Sequence, residues 1–383
     1  MEDIRVLEPN GLTAASTFSG CGGSSLGYRM AGFRVAYANE FIDAARDTYA
    51  ANAESYTVID GRDIRDVTGR DIISAAGGEV DLLDGSPPCS DFSTAGRRDE
   101  GWGKVKKYSD SEQRVDDLFF EFTRLVREVQ PRTFVAENVS GLVKGTAKGY
   151  FKMILAAMKD CGYRVEAKLL NASWLGVPQA RQRIIFVGVR EDLGFDPPFP
   201  KPLPYQYSVR EAISPDAEMI AIYDTRGTFT PKNVTDTPSS TITTQTHLHY
   251  QMFGGDPVEK DPETGQNLVF TKYSIYESWK RLGVGGSPTG SYFNLVRVNP
   301  DRPAPTVAAS HGSPGVASIS HWETPRKFTL GECRRLCSFP DDFILTGDYA
   351  QRWERLGRAV PPVMMSHIAA GIRDALNAYV PAV

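Results

Sequence analysis

The chain has 383 residues, with 43 Lys plus Arg against 47 Asp plus Glu and a formal net charge of −4. Apolar residues make up 41% and charged residues 23%, the balance of a globular chain of about two to three domains, which excludes disorder as the main state. The slight acidic excess also excludes a broad basic coat, so any contact with nucleic acid has to rest on local basic patches. Residues 12 to about 190 alternate short apolar runs with helix-like stretches. AASTF (14–18), FRVAYANE (33–40), SYTVID (55–60), VDLLDG (80–85), TFVAEN (133–138), YRVEAKLL (163–170) and RIIFVGVR (183–190) are predicted strands. Between them, LGYRMAG (26–32), FIDAARDTYAAN (41–52), SEQRVDDLFFEFTRLVREVQ (111–130) and GYFKMILAAMKDCG (149–162) carry apolar residues at helical spacing. The alternation predicts an α/β fold with an open, mostly parallel sheet and helices on both faces.

The segment LGFDPPFPKPLPY (193–205) packs five prolines into thirteen residues and reads as a domain boundary or rigid linker. From about 196 to 326 the texture shifts to Thr, Pro, Gly, Ser and Asn. TDTPSSTITT (235–244) is weakly echoed by DRPAPTVAAS (301–310), which is too little for a solenoid. Helical patterning returns in LGECRRLC (330–337) and VMMSHIAAGIRDALNAYV (363–380). The expected layout is a nucleotide-type domain over 1–195, completed by 346–383, and a smaller irregular domain over 196–345. The opening MEDIRVLEPNGL has no signal-peptide core, and no apolar run approaches the ~18 residues that cross a bilayer. Five scattered cysteines do not form a disulfide framework. A cytoplasmic, monomeric protein with no membrane partner is therefore expected. His247 and His249 lack a Cys or acidic partner at metal-site spacing and read as solvent-facing strand residues, so no metal is expected.

Several motifs fall where chemistry would sit. FSGCGGSSLG (18–27) follows the first strand and opens a helix; glycines there let backbone approach a ligand and aim helix N–H groups at it. Such a turn also serves simply to pack strand on helix. Glu40 closes the second strand, where an acid can accept from a ribose diol, and Asp63 could cap an adenine amino group. GSPPCSDFS (85–93) follows the fourth strand, at the crevice where open α/β sheets bind ligands. Its two prolines stiffen the approach to Cys89, whose thiolate would be a strong nucleophile; the alternative is an ordinary buried cysteine. Glu137, in ENV (137–139), brings a carboxyl to the same rim or caps a helix. Gln179, Arg181 and Arg183 alternate ahead of a strand and are expected to share one face, suited to a carbonyl or phosphate, or else to form a solvated charged edge. Arg97 to Lys107 holds five basic residues with glycines at 96, 101 and 103, and reads as a phosphate-touching lid or a solvated loop.

In order and spacing, FSGCGG, Glu40, Asp63, SPPCS, ENV, VPQARQR, RKFTLGECRRLCSFPDDF and GRAVPP resemble the DNA cytosine-C5 methyltransferase family over roughly 13–190 and 326–380. The resemblance implies a Rossmann-like, S-adenosylmethionine-dependent sheet with a target-recognition domain, acting on double-stranded DNA in a bacterial or phage-infected cell, as in restriction-modification. It implies that Cys89 adds to C6 of a flipped cytosine, that Glu137 holds or protonates N3, and that Arg181, with Arg183 beside it, binds the O2 side. It assigns the cofactor to Phe18, Ser19, Gly20, Cys21, Gly22, Gly23, Leu26, Glu40, Asp63, Ile64, Pro87, Arg358 and Val360. Ser90, Ser93, Gln179 and Thr306, the last in a Thr-Val pair near the flipped nucleotide, are assigned to the substrate. A tRNA-modifying relative is disfavoured by the long variable insert, and a silent DNA-binding relative by the intact Cys89, Glu137 and Arg181.

Three residues depart from the family pattern. Ser90 and Cys337 each stand where Gln is frequent, and Arg358 replaces the Asn of a GNAVPP-like motif. By resemblance Arg358 would face a sulfonium, and two unit charges ~4 Å apart repel by about 4 kcal/mol at an effective dielectric near 20. A donor carrying a carboxylate, carboxy-S-adenosylmethionine, would turn that repulsion into a charge-assisted pair and make 5-carboxymethylcytosine. Plain methylation and carboxymethylation are thus both expectations.

Overall fold

The structure is a computed structural model that describes residues 1–88, 118–143, 147–213, 259–288, 294–313 and 316–379, together with the backbone of 106–108 and 111–113. Cys89, Ser90, Ser93, most of the Arg97–Lys107 segment, and His247 and His249 lie outside the described residues. The chain divides into two compact units, one of residues 2–171, 182–201 and 364–383, the other of Met1, 172–181 and 202–363. The passage at 201/202 falls inside the proline-rich segment.

The first unit is built on a seven-stranded sheet: β1 (Thr13–Thr17), β2 (Arg34–Asn39), β3 (Val58–Asp60), β4 (Leu82–Gly85), β5 (Thr133–Val139), β6 (Tyr163–Asn171) and β7 (Gln182–Arg190), in the order β3-β2-β1-β4-β5-β7-β6. The pairs from β3 through β5 are parallel, whereas β7 runs antiparallel to both β5 and β6. The expected strands are all present. Connecting helices are α1 (Gly23–Met30), α2 (Asp43–Asn52), α3 (Gly69–Ala76), α4 (Leu118–Val129) and α5 (Ala147–Lys159). The expected helix over 111–130 begins only at Leu118; Ser111–Gln113 instead pairs antiparallel with Lys106–Tyr108.

α4 shows why this half holds together. Leu118, Phe119, Phe122, Leu125, Val126 and Val129 recur at helical spacing and are all buried. Phe119 meets Phe186 edge-on at 5.7 Å and Phe122 meets Phe134 at 6.0 Å, linking α4 to β7 and β5. Each such ring is worth roughly 1.5–3 kcal/mol of burial. The packing reaches the backbone itself: a Cβ at Gly85 would lie 2.4 Å from the Phe122 ring.

The second unit carries α6 (Tyr273–Arg281), α7 (Leu330–Leu336) and α8 (Tyr349–Arg358); α9 (Pro362–Ala378) continues the first unit from Met364 onward. α6 and α8 were not read from the sequence. α7 is fixed by a reciprocal cap between Thr329 and Glu332, and Glu332 also receives Arg326 through two bonds of 2.8 and 2.9 Å. Both of these charged side chains are 1% exposed. Around α6, Phe270, Ile275, Trp279, Leu295 and Ala317 form a small apolar core.

Candidate active site

In the first unit, β1 ends at Thr17 and the chain turns through residues 18–22 into α1. Phe18, Gly20 and Gly22 take left-handed backbone conformations, at φ 52°, 56° and 94°. For Phe18 that conformation is costly and marks a turn held by its surroundings. The Ser19 N–H donates to Asn39 and its hydroxyl to Ser16. Glu40, 8% exposed, accepts from Gly20 N–H at 2.7 Å through one oxygen and from Ile42 N–H at 2.8 Å through the other. The carboxylate thus ties the glycine loop to the end of β2. Cys21 and Leu26 face the interior, and Ile64 belongs to the main core. Asp63 caps the turn Ile64–Asp66 and pairs with Arg65 at 3.1 Å.

At the ends of the next strands, the Asn138 side chain donates to the Pro87 carbonyl at 3.1 Å, which fixes the start of the Pro-Pro-Cys segment. Its neighbour Glu137 is buried and forms an ion pair with Arg183, without the alignment of a hydrogen bond. β4 carries Asp84, a wholly buried carboxyl that was not singled out from the sequence. Burial pushes it up to about 7, and the Glu137 charge adds to that, against hydrogen bonds from Tyr28 and Ser16.

The second unit contains the other half of VPQARQR. The three alternating side chains do not come from one continuous strand, which is interrupted at Arg181 between Gln179–Ala180 and β7. Arg183 pairs with Glu137, while Gln179 and Arg181 belong to the second unit and are buried there. Gln179 accepts from Val307 N–H at 3.2 Å and donates to Leu336 O and to Cys337 Sγ. Arg181 donates to the carbonyls of Val307 (3.4 Å) and Arg358 (3.3 Å). Thr306 donates to Ala180 O at 3.1 Å. The Thr-Val pair is therefore held by the QAR triplet. Cys337, with burial pushing its thiol up to about 11, acts as a neutral partner of Gln179. Arg358 closes α8, is exposed, and bonds Glu354 one turn back at 2.7 Å. Val360 is buried.

No group of three or more His, Cys, Asp or Glu suited to a metal occurs among the described residues. No described helix is long and apolar enough to cross a membrane.

The sheet order, the glycine turn and the acid closing β2 define a Rossmann-like methyltransferase fold. Comparison with known proteins sharpens this. The chain belongs to the C-5 cytosine-specific DNA methylase family, whose profile matches residues 12–374. Type II methyltransferase M.NgoFVII of Neisseria gonorrhoeae is 30% identical over 361 residues, spanning 93% of this chain and 85% of that protein. M.DdeI of Desulfomicrobium norvegicum is 31% identical over 379 residues, spanning 93% and 87%. Among solved structures, a candidate DNA modification methyltransferase encoded within an E. coli prophage aligns with a TM-score of 0.67 at 22% identity, covering 96% of this chain and 100% of that one. At that identity the likeness speaks for the fold.

Proposed function

We propose that this methylase uses S-adenosylmethionine to methylate C5 of a cytosine flipped out of duplex DNA, with Cys89 as nucleophile. The observation carrying this reading is the buried Glu137–Arg183 pair beside Asn138, which holds the Pro87 carbonyl two residues before Cys89. The glycine loop fits an adenosyl-type ligand: a Cβ at Gly20 would meet nothing within 4 Å, so the backbone there presents open space, and the Glu40 carboxylate is bonded to that same glycine. Phe18 to Gly23, Glu40, Asp63 and Pro87 would hold the cofactor, which supplies an electrophilic methyl when bound.

Cytosine C5 is a poor nucleophile. Addition of the Cys89 thiolate to C6, with Glu137 holding or protonating N3 and Arg181 at O2, places the electron pair on C5. Methyl transfer to C5 would break the donor's C–S bond and leave its sulfur as a neutral thioether; loss of the C5 proton to a base would then restore the ring and expel the Cys89 thiolate. A flipped base is required because none of these atoms is reachable inside a stack. Residues 1–195 with 346–383 would serve catalysis and cofactor binding, with Gln179 among the substrate contacts, and 196–345 target recognition, with Thr306 among its substrate contacts.

Carboxymethyl transfer is the second reading, and one observation weighs on it. Arg358 beside a sulfonium needs an anion to balance it, and Glu354 already supplies one. Plain methylation is accordingly the first reading. The test is covalent trapping on 5-fluorocytosine DNA. The unaltered chain should give a stable adduct and Cys89→Ala none; turnover by Cys89→Ala within about tenfold of the unaltered chain would contradict a role worth several kcal/mol.

A further inference from the structure

One carboxyl grips the glycine loop at both ends. Asp84 is wholly buried in β4 and accepts from Ser16 Oγ at 2.8 Å and from Tyr28 Oη at 2.7 Å. Ser16 lies in β1 two residues before the loop; Tyr28 lies in α1, the helix that the loop opens into, five residues past Gly23. The Asp84 carbonyl is engaged as well, accepting from Thr17 Oγ1 at 2.9 Å. At the next residue a Cβ would come within 3.0 Å of that same Thr17 oxygen, so the strand end and the loop entrance are in close contact.

These bonds differ from ordinary sheet pairing. β1 and β4 are already joined through parallel backbone bonds from Ala14 to Thr17, so Asp84 is not needed to hold the strands together. What it adds is a side-chain tie from β4 to α1, across the loop. A buried carboxyl that accepts from hydroxyls on two different elements fixes their orientation relative to its own strand. A glycine-rich loop, with the greatest conformational freedom to lose, gains most from having both ends fixed.

We infer that Asp84 is a positioning residue for cofactor binding, setting the entrance and exit of the loop 18–23 through Ser16 and Tyr28. The inference rests on the reading of that loop as the S-adenosylmethionine site. Asp84 acts through the loop and touches no ligand itself in this account. Two ligands that share the adenosyl and amino-acid parts but differ in charge at sulfur should therefore respond alike.

The test is calorimetric titration of the full chain with S-adenosylmethionine and with S-adenosylhomocysteine, for the unaltered protein, Asp84→Ala, Asp84→Asn and Tyr28→Phe. Asp84→Ala should weaken both ligands by about tenfold or more, the scale of a lost bond to a charged group. Asp84→Asn keeps one acceptor oxygen and a donor that either hydroxyl can receive, and should stay within about threefold of the unaltered chain. Tyr28→Phe should fall between them. In the unaltered chain, affinity should also change through an inflection near pH 7 that Asp84→Asn lacks. With cofactor saturating, kcat should vary much less than affinity.

Near-native affinity in both Asp84→Ala and Tyr28→Phe overturns the inference, as does weakening of the sulfonium ligand alone, which would indicate direct charge attraction. Should Asp84→Ala not fold, the Asn and Phe variants decide by the same criteria. If the unaltered chain binds neither ligand, the functional reading fails first and this one with it.

Discussion

The Asp84 carboxyl gives a stability prediction whose sign and size both follow from its environment. Burial, with the Glu137 charge as a further push, raises it to about 7 from an ordinary 3.8. Between those values the folded chain binds a proton that the unfolded chain has released. Stability therefore falls as pH rises from about 4 to about 7 and is level beyond. The gap corresponds to roughly 4 kcal/mol, an upper figure for what ionised Asp84 costs the fold at neutral pH. Asn is nearly isosteric and does not ionise. Asp84→Asn should thus match the unaltered protein near pH 4 and exceed it by about 2–4 kcal/mol at pH 8.

Urea unfolding of both proteins at pH 5, 6, 7 and 8 measures this, with the difference in ΔG plotted against pH. A gap that opens with pH confirms the linkage. A pH-independent gap, or a variant less stable than the parent at pH 8, would refute it. Taken with the binding test, the result has a further meaning. Asp84→Asn stabilising the fold while keeping affinity within about threefold would show that the two hydrogen bonds, rather than the charge, hold the loop.

Three other outcomes are expected. Arg326→Met should destabilise the second unit by about 3–5 kcal/mol in chemical denaturation, because Glu332 would be left buried without its cation; pairing it with Glu332→Gln should recover part of that loss. In a competition between S-adenosylmethionine and carboxy-S-adenosylmethionine, read by mass spectrometry of product nucleosides, the unaltered chain should make 5-methylcytosine; preferential 5-carboxymethylcytosine that Arg358→Asn abolishes would favour the second reading and show that Glu354 does not satisfy Arg358. Exchanging residues 196–326 into a relative should transfer sequence preference, and an active chimera that keeps its old target would show that recognition lies elsewhere.

The strands of the sheet were legible because each is a compact β-branched or apolar run bounded by polar turns. Their directions were not. A buried strand reads the same either way, and RIIFVGVR gives no sign that it runs antiparallel to its neighbours. The spacing did contain that sign: Asn171 to Gln182 is too short for the crossover of a dozen or more residues, usually helical, that parallel neighbours need. β6 and β7 must therefore pair directly. α8 was also missed, although Asp348 and Gln351 form the reciprocal cap that marks a helix start. α3, with Thr68 and Asp71 in the same arrangement, begins with glycine and is only two turns long, too short for a clear apolar period.

For the site, position along the chain was readable and partnership was not. Glu40 and Glu137 were recognisable as acids closing strands, but nothing in the sequence paired Glu137 with Arg183 or bonded Glu40 to Gly20. The alternation of Gln179, Arg181 and Arg183 misled, because side-chain periodicity holds only while a strand continues, and this one is interrupted at Arg181. Asp84 is the instructive omission. A carboxylate in the apolar run VDLLDG conflicts with its surroundings unless something nearby can donate to it. Its donors lie 68 and 56 positions earlier, in segments whose pattern shows only a strand and a helix. The contradiction was local and its resolution was tertiary. A polar residue that violates the pattern of its own strand is, for that reason, a better guide to where a fold ties distant segments together than any residue that obeys it.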